Sequence, residues 1–129
     1  MTGKLKKILY VEDDADIREV AKIALEAVGG FTVKICSSGR QALAEAPGFD
    51  PDFILLDVMM PGMDGPTTLD ELRKLPGLEE KPVVFMTAKV MHSEIGVYKE
   101  LGAVDVIPKP FDPMTLAERI NGIWGGLNS

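Results

Sequence analysis

Four short, largely apolar runs in this sequence are each followed within two residues by a side chain able to do chemistry. Glu12, Asp13 and Asp14 follow Ile8-Leu9-Tyr10-Val11, and Asp57 follows Phe53-Ile54-Leu55-Leu56. Thr87, with the small Ala88 behind it, follows Val83-Val84-Phe85-Met86, and Lys109 follows the run from Val104 to Ile107, between Pro108 and Pro110. Gathered in one crevice, these carboxylates, hydroxyl and ammonium favour phosphoryl transfer onto a carboxylate. Neighbouring carboxylates repel and raise one another's pKa unless a cation sits among them. Hard oxygen donors select Mg²⁺ or Mn²⁺. With the metal bound, Asp57 can stay ionised and act as a nucleophile towards phosphorus. The metal and Lys109 can neutralise the equatorial oxygens of the transferring group. Thr87 can then donate a hydrogen bond to the acyl phosphate, and Ala88 leaves room for it. Each residue alone has an ordinary reading, since an Asp after a strand is usually a turn or capping residue. The coincidence of four such residues at corresponding places carries the functional one.

Something must bring these places together. The run Ile8 to Val11 reads as a buried strand bounded by charge. Ile17, Val20, Ala21, Ala24, Leu25 and Val28 then fall on one face of a helix, with Asp14 and Asp16 suited to its positive end and Gly29-Gly30 to its stop. Phe31 to Ile35 alternates and predicts a half-exposed second strand. A short helix is expected from Arg40 to Ala46, ended by Pro47-Gly48. Phe53 to Leu56 is a third strand, continuous in apolar character as a strand covered on both faces should be. The turn cluster Pro61-Gly62-Met63-Asp64-Gly65 precedes a helix begun near Pro66 and ended near Leu75. Val83 to Met86 is the fourth strand, and a helix from about Met91 to Leu101 stops at Gly102. Val104 to Ile107 is the fifth strand. Asp112 reads as the N-cap of a last helix with Pro113 in its first turn, placing Leu116, Ile120 and Ile123 on one face.

Five βα units with right-handed crossovers put helices on both faces of a parallel sheet, a doubly wound α/β domain. In such sheets ligands bind outside the carboxyl ends of the strands. That edge is where the four polar sites fall.

Composition bounds the rest. The 129 residues, 46% hydrophobic, suit one domain able to bury its own core, and the expectation is a single domain over residues 1–129 with its core at about 6–124. A net charge of −6 argues against direct binding to nucleic acid, and no apolar run reaches the length of a membrane span. Lys4, Lys6 and Lys7 precede an apolar run too short for a signal peptide, so a cytoplasmic protein is expected. The lone cysteine, Cys36, excludes a disulfide within the chain and reads as a small buried apolar residue. His92 reads as a solvated surface residue and Trp124 as packing for the last helix.

On these residues the chain resembles the receiver domains of two-component response regulators. The resemblance runs from about Lys6 to Ile123, and its most specific stretch is Ile54-Leu55-Leu56-Asp57-Val58-Met59-Met60-Pro61-Gly62-Met63-Asp64-Gly65. Val11-Glu12-Asp13-Asp14, Thr87-Ala88 and Lys109-Pro110-Phe111 fall at matching spacings. The resemblance implies a flavodoxin-like sheet of strand order 2-1-3-4-5 with five helices. It implies Asp57 as phosphoacceptor, Asp13 as a direct metal ligand, Glu12 acting on the metal through water, and the backbone carbonyl of Met59 completing the protein's ligands. Thr87 is then the switch hydroxyl, Lys109 the partner of the phosphoryl group, and the Lys109–Pro110 peptide cis. Asp14 falls outside the acidic pair and starts the first helix. A sensor histidine kinase or histidine phosphotransfer protein would be the donor, and a downstream protein partner or an effector domain the output. Such a domain is regulatory rather than an enzyme, catalysing only its own phosphorylation and dephosphorylation. One departure stands out: many receivers carry Tyr or Phe three residues before the lysine, where this chain has Val106.

Two other functions meet obstacles. A phosphohydrolase of the haloacid-dehalogenase type needs a second Asp two residues after the nucleophile, and Met59 stands there. A flavodoxin-like flavin or nucleotide binder cradles phosphate in a Gly- or Ser/Thr-rich loop after a strand. Here acids that repel phosphate follow the first strand.

Overall fold

β-Branched and leucine-rich runs of four or five residues, too short for helices and flanked by polar breaks, become five parallel strands. In the computed structural model, which describes residues 4–88 and 92–127, these are β1 (Lys7–Val11), β2 (Thr32–Cys36), β3 (Phe53–Asp57), β4 (Val83–Thr87) and β5 (Asp105–Pro108). They form one sheet in the order β2-β1-β3-β4-β5. β3 and β4 are buried along their whole length, which explains their unbroken apolar sequences. The register sets Val11 beside Leu56, Asp57 beside Met86 and Thr87 beside Pro108. Glu12, Asp57, Thr87 and Lys109 therefore all lie at the carboxyl edge.

The helices are α1 (Ala15–Lys22), α2 (Gly39–Phe49), α3 (Gly65–Leu72), α4 (His92–Glu100) and α5 (Leu116–Leu127). They cover both faces of the sheet. Tyr10, Leu55, Met86 and Ile107 pack with Ala21 and Leu25 on one side and with Ile120 and Trp124 of α5. Leu9, Ile54, Leu56 and Phe85 pack on the other with Ala46, Leu69 and Leu72, and Tyr98 of α4 joins them. Cys36 and Trp124 are buried, as expected. No helix among the described residues is long and apolar enough to cross a membrane.

Several local expectations are corrected. The first helix does not keep one regular face. From Ile23 to Val28 it widens into π-helical winding, closed by the Gly29 N–H donating to Ala24 O at 3.1 Å. Ala21, Ala24 and Leu25 are buried, but Val20 and Val28 stay 42% and 43% exposed; the wider turn rotates Val28 off the 3.6-residue stripe, whereas Val20 precedes that turn and is exposed within the regular helix. α2 passes through Pro47 and ends at Asp50, whose left-handed backbone (φ 53°) lets its N–H reach Ala46 O at 2.9 Å. A proline in the last turn forfeits only one helical bond, so it did not stop the helix. α3 ends at Leu72, three residues before Leu75. Asp112 does cap a turn, accepting from Met114 N–H at 2.9 Å, but the regular helix begins only at Leu116. β2 and β5 each begin one residue later than expected, while β3 and β4 run one residue further, taking in Asp57 and Thr87. The expected start of the fourth helix at Met91 and the surface placement of the His92 side chain lie outside the described residues.

Candidate functional site

Three strand ends and the loop after a fourth meet at the carboxyl edge. Glu12 follows β1 directly and is only 1% exposed; Asp57, the last residue of β3, is 2% exposed. Thr87 closes β4 and is buried. Lys109 follows β5, and its N–H donates to Thr87 O at 2.9 Å, which fixes the loop against β4. The Lys109–Pro110 peptide is cis, as the resemblance implied.

From this loop the Lys109 ammonium reaches back across the site and donates to Glu12 Oε1 and to Asp57 Oδ1, both at 3.0 Å. Carboxylate oxygens of Glu12, Asp13 and Asp57 all lie within 4.8 Å of one another, with Asp13 exposed at the mouth. Burial, with the Asp57 carboxylate close by, pushes the Glu12 carboxyl up to about 7 even though Lys109 opposes the shift. Burial also disfavours the charged form of Lys109, but its bonds to Asp57 and Glu12 outweigh that and hold it above the ordinary lysine value. One ammonium thus leaves the three carboxylates under-neutralised, and the oxygen-only donor set fits a hard divalent cation.

The neighbouring backbone is built to hold this arrangement. The Val58 N–H donates to Met86 O at 3.0 Å, and the Gly65 N–H donates to Val58 O at 2.9 Å. Gly65 has no choice of residue type: a Cβ there would stand 2.6 Å from Asp57 O and 2.8 Å from Val58 Cα. Asp14 is the N-cap of α1, accepting from Asp16 and Ile17 N–H at 2.9 and 3.2 Å, so it is engaged outside the acidic pair as expected. Arg18, reaching back from α1, donates to Glu12 O at 2.9 Å. Met59 sits two residues past Asp57 with its side chain 77% exposed. Val106 is buried in β5 in register with Phe85, and Phe85 instead meets the ring of Tyr98 edge-on at 5.2 Å.

Arg18 and the site role of Tyr10 are not singled out by the sequence, and Gly65 reads there only as part of a turn cluster and of the most specific stretch. The phenol of Tyr10 is completely buried and its hydroxyl donates to Glu12 Oε1 at 3.4 Å. Strand periodicity could have found it, because residues two apart on a strand point to the same side.

Residues 8–121 match the response regulator receiver domain. The chain belongs to this family. It is 38% identical over 115 residues to the DNA-binding response regulator MtrA of Mycobacterium tuberculosis, covering 89% of this chain and 49% of that protein. It is 40% identical over 119 residues to the transcriptional regulatory protein CpxR of Klebsiella pneumoniae, covering 92% of this chain and 49% of that one. The chain spans about half the length of the curated relatives it matches. Among solved structures, the chemotaxis protein CheY4 of Vibrio cholerae superposes with a TM-score of 0.85 at 29% identity, covering 93% of this chain and 99% of that one. The signal receiver domain of a histidine kinase from Syntrophus aciditrophicus gives 0.79 at 32% identity, covering 95% and 92%.

The receiver family consists of regulatory domains that act as phosphorylation-dependent switches, are phosphorylated by histidine kinases and bind Mg²⁺ at an acidic pocket. Membership sets aside the haloacid-dehalogenase reading, as the Met59 side chain already did. The expectation of no contact with nucleic acid is not borne out by relatives named as DNA-binding.

Proposed function

We propose that this receiver takes a phosphoryl group onto Asp57 from a sensor histidine kinase or a histidine phosphotransfer protein, and that the acyl phosphate changes a partner-binding face. The observation that carries this reading is the Lys109 ammonium bridging Asp57 and Glu12 at 3.0 Å each, a cation placed beside the candidate nucleophile and ready to change partners. Asp13 and Asp57 would ligate Mg²⁺ or Mn²⁺ directly, Glu12 through water, and Met59 through its backbone carbonyl. When bound, that ion supplies charge neutralisation for the phosphoryl oxygens.

The residues of this chain do the remainder. A carboxylate oxygen of Asp57 attacks phosphorus, the new O–P bond forms as the P–N bond to the donor imidazole breaks, and the imidazole departs with that electron pair. Lys109 exchanges an Asp57 oxygen for a phosphoryl oxygen and offsets the charge brought in. The Thr87 hydroxyl donates to a phosphoryl oxygen, and Ala88 leaves the space. With Val106 in β5, no aromatic rotamer there can report the movement of Thr87. The domain's catalysis is confined to its own phosphorylation and dephosphorylation.

We further propose one domain over residues 1–129, acting in the cytoplasm, with output through a protein partner or an effector domain. The net charge of −6 supports a receiver that does not itself touch nucleic acid. The test is incubation with Mg²⁺ and phosphoramidate, followed by intact mass and peptide mapping. One phosphoryl group on Asp57, lost in Asp57→Asn, is the expected result, and a label on another residue of the wild-type chain overturns the assignment.

A further inference from the structure

We propose that the Tyr10 hydroxyl positions the Glu12 carboxylate for the cation site. This rests on the reading that Glu12, Asp13 and Asp57 serve a divalent ion. Tyr10 and Glu12 stand two residues apart along β1 and its exit, so their side chains leave on the same side. The phenol comes up from the core formed with α1 and α5, and the Lys109 ammonium comes from the loop after β5. Both donate to the same atom, Glu12 Oε1, the phenol at 3.4 Å and the ammonium at 3.0 Å. The other oxygen, Oε2, accepts the Asp14 N–H at 3.3 Å. Glu12 thereby accepts from three donors, of which Tyr10 is the completely buried one.

A core-filling role alone does not account for the hydroxyl. A phenylalanine would fill the same space, and a hydroxyl taken out of water without an acceptor is unfavourable. At a completely buried position, the oxygen of Tyr10 is satisfied by the acid it adjoins. Groups that orient metal-serving side chains from behind commonly set affinity by about 10- to 100-fold.

The test is a calorimetric Mg²⁺ titration of four proteins: wild type, Tyr10→Phe, Glu12→Gln and the double variant. Tyr10→Phe should weaken Mg²⁺ binding by about 10-fold while leaving metal-free thermal unfolding close to wild type. In the Glu12→Gln background the same change should have little further effect. An equal loss in both backgrounds would mean that Tyr10 acts through packing, and an unchanged affinity in Tyr10→Phe equally overturns the proposal. A readout on intact protein stands beside these: saturating Mg²⁺ should perturb tyrosine absorption in wild type but not in Glu12→Gln, and no perturbation in wild type counts against Tyr10. A wild-type chain that binds no Mg²⁺ would remove the cation site itself, and this proposal with it.

Discussion

The Lys109 ammonium stands 3.0 Å from Asp57 Oδ1, spanning from the loop after β5 to the last residue of β3 across the intervening β4. Residues 52 apart in sequence are thus joined by a charge-assisted hydrogen bond at a site where Asp57 is almost wholly buried. Glu12 shares the same ammonium at the same distance. Lys109 is therefore the internal counter-ion of two carboxylates, and its loss should be felt before any phosphoryl group arrives.

Replacing Lys109 by Met keeps the aliphatic stem and removes the charge. Without metal, two buried carboxylates are then left facing each other, a cost of about 1–3 kcal/mol. Mg²⁺ should recover much of that loss, since the ion neutralises the same oxygens. Thermal unfolding of Lys109→Met with and without Mg²⁺ checks this: the gap from wild type should narrow when Mg²⁺ is added. A gap of the same size in both conditions would mean that the stem matters and the charge does not.

Glu12 gives the metal-free protein an unusual pH dependence. Its carboxyl is pushed up to about 7 from an ordinary 4.5, so the folded chain holds a proton that the unfolded chain releases. Stability from this group is full below about pH 4.5 and is lost as pH rises through about 7, by about 1–3 kcal/mol in all. Lys109, held above its ordinary value, adds no slope in that window. Mg²⁺ competes with the proton, so its affinity should increase over the same range. The measurements are unfolding midpoints and Mg²⁺ titrations between pH 5 and 8, and both slopes should flatten in Glu12→Gln. A metal-free midpoint that climbs steadily towards pH 8 would contradict the sign.

The placement of these groups was largely legible in the sequence, and their energetics were not. Continuous apolar runs such as Ile54-Leu55-Leu56 identify doubly covered strands, and the residue behind each run must then lie at the carboxyl edge. That logic brings Glu12, Asp57, Thr87 and Lys109 together without any knowledge of contacts. Periodicity failed where tertiary packing chose the backbone: the π winding from Ile23 exposes Val28, and Pro47 stays inside α2 because its missing bond falls in the last turn. The raised value of Glu12 and the approach of Gly65 to the Asp57 carbonyl depend on distances between elements. No local pattern encodes those.

Asp13 and Asp14 are adjacent and chemically alike, yet their roles should separate cleanly. Asp14 accepts two N–H groups at the start of α1, whereas Asp13 belongs to the carboxylate cluster and is exposed at its mouth. Asp14→Ala should destabilise the fold by about 1 kcal/mol, the usual cost of a lost N-cap, and leave Mg²⁺ affinity near wild type. Asp13→Ala should do the reverse, weakening Mg²⁺ strongly, and should leave metal-free stability unchanged or slightly higher as one repelling charge is removed. Paired unfolding and calorimetric titrations decide it. Equal Mg²⁺ losses in the two variants would mean that the acidic pair is misassigned by one residue.

Gly65 offers a prediction whose sign runs against helix propensity. Alanine ordinarily stabilises a helix relative to glycine by about 1 kcal/mol. At the exposed Gly122 of α5, where an added Cβ meets nothing within 4 Å, Gly122→Ala should behave that way and raise the unfolding midpoint. At Gly65 the methyl would sit 2.6 Å from Asp57 O and 2.8 Å from Val58 Cα, both backbone atoms of the segment that carries the candidate phosphoacceptor. Neither atom can step aside as a flexible side chain would. The start of α3 must withdraw, stretching the 2.9 Å bond from Gly65 N–H to Val58 O, or β3 must shift. Gly65→Ala should therefore destabilise by about 1–3 kcal/mol, as overpacked sites do. It should also slow phosphorylation by phosphoramidate, because a displaced Asp57 loses its alignment with Lys109. A Gly65→Ala variant as stable as Gly122→Ala, with undiminished phosphorylation, would show that the α3 start can retreat without moving Asp57.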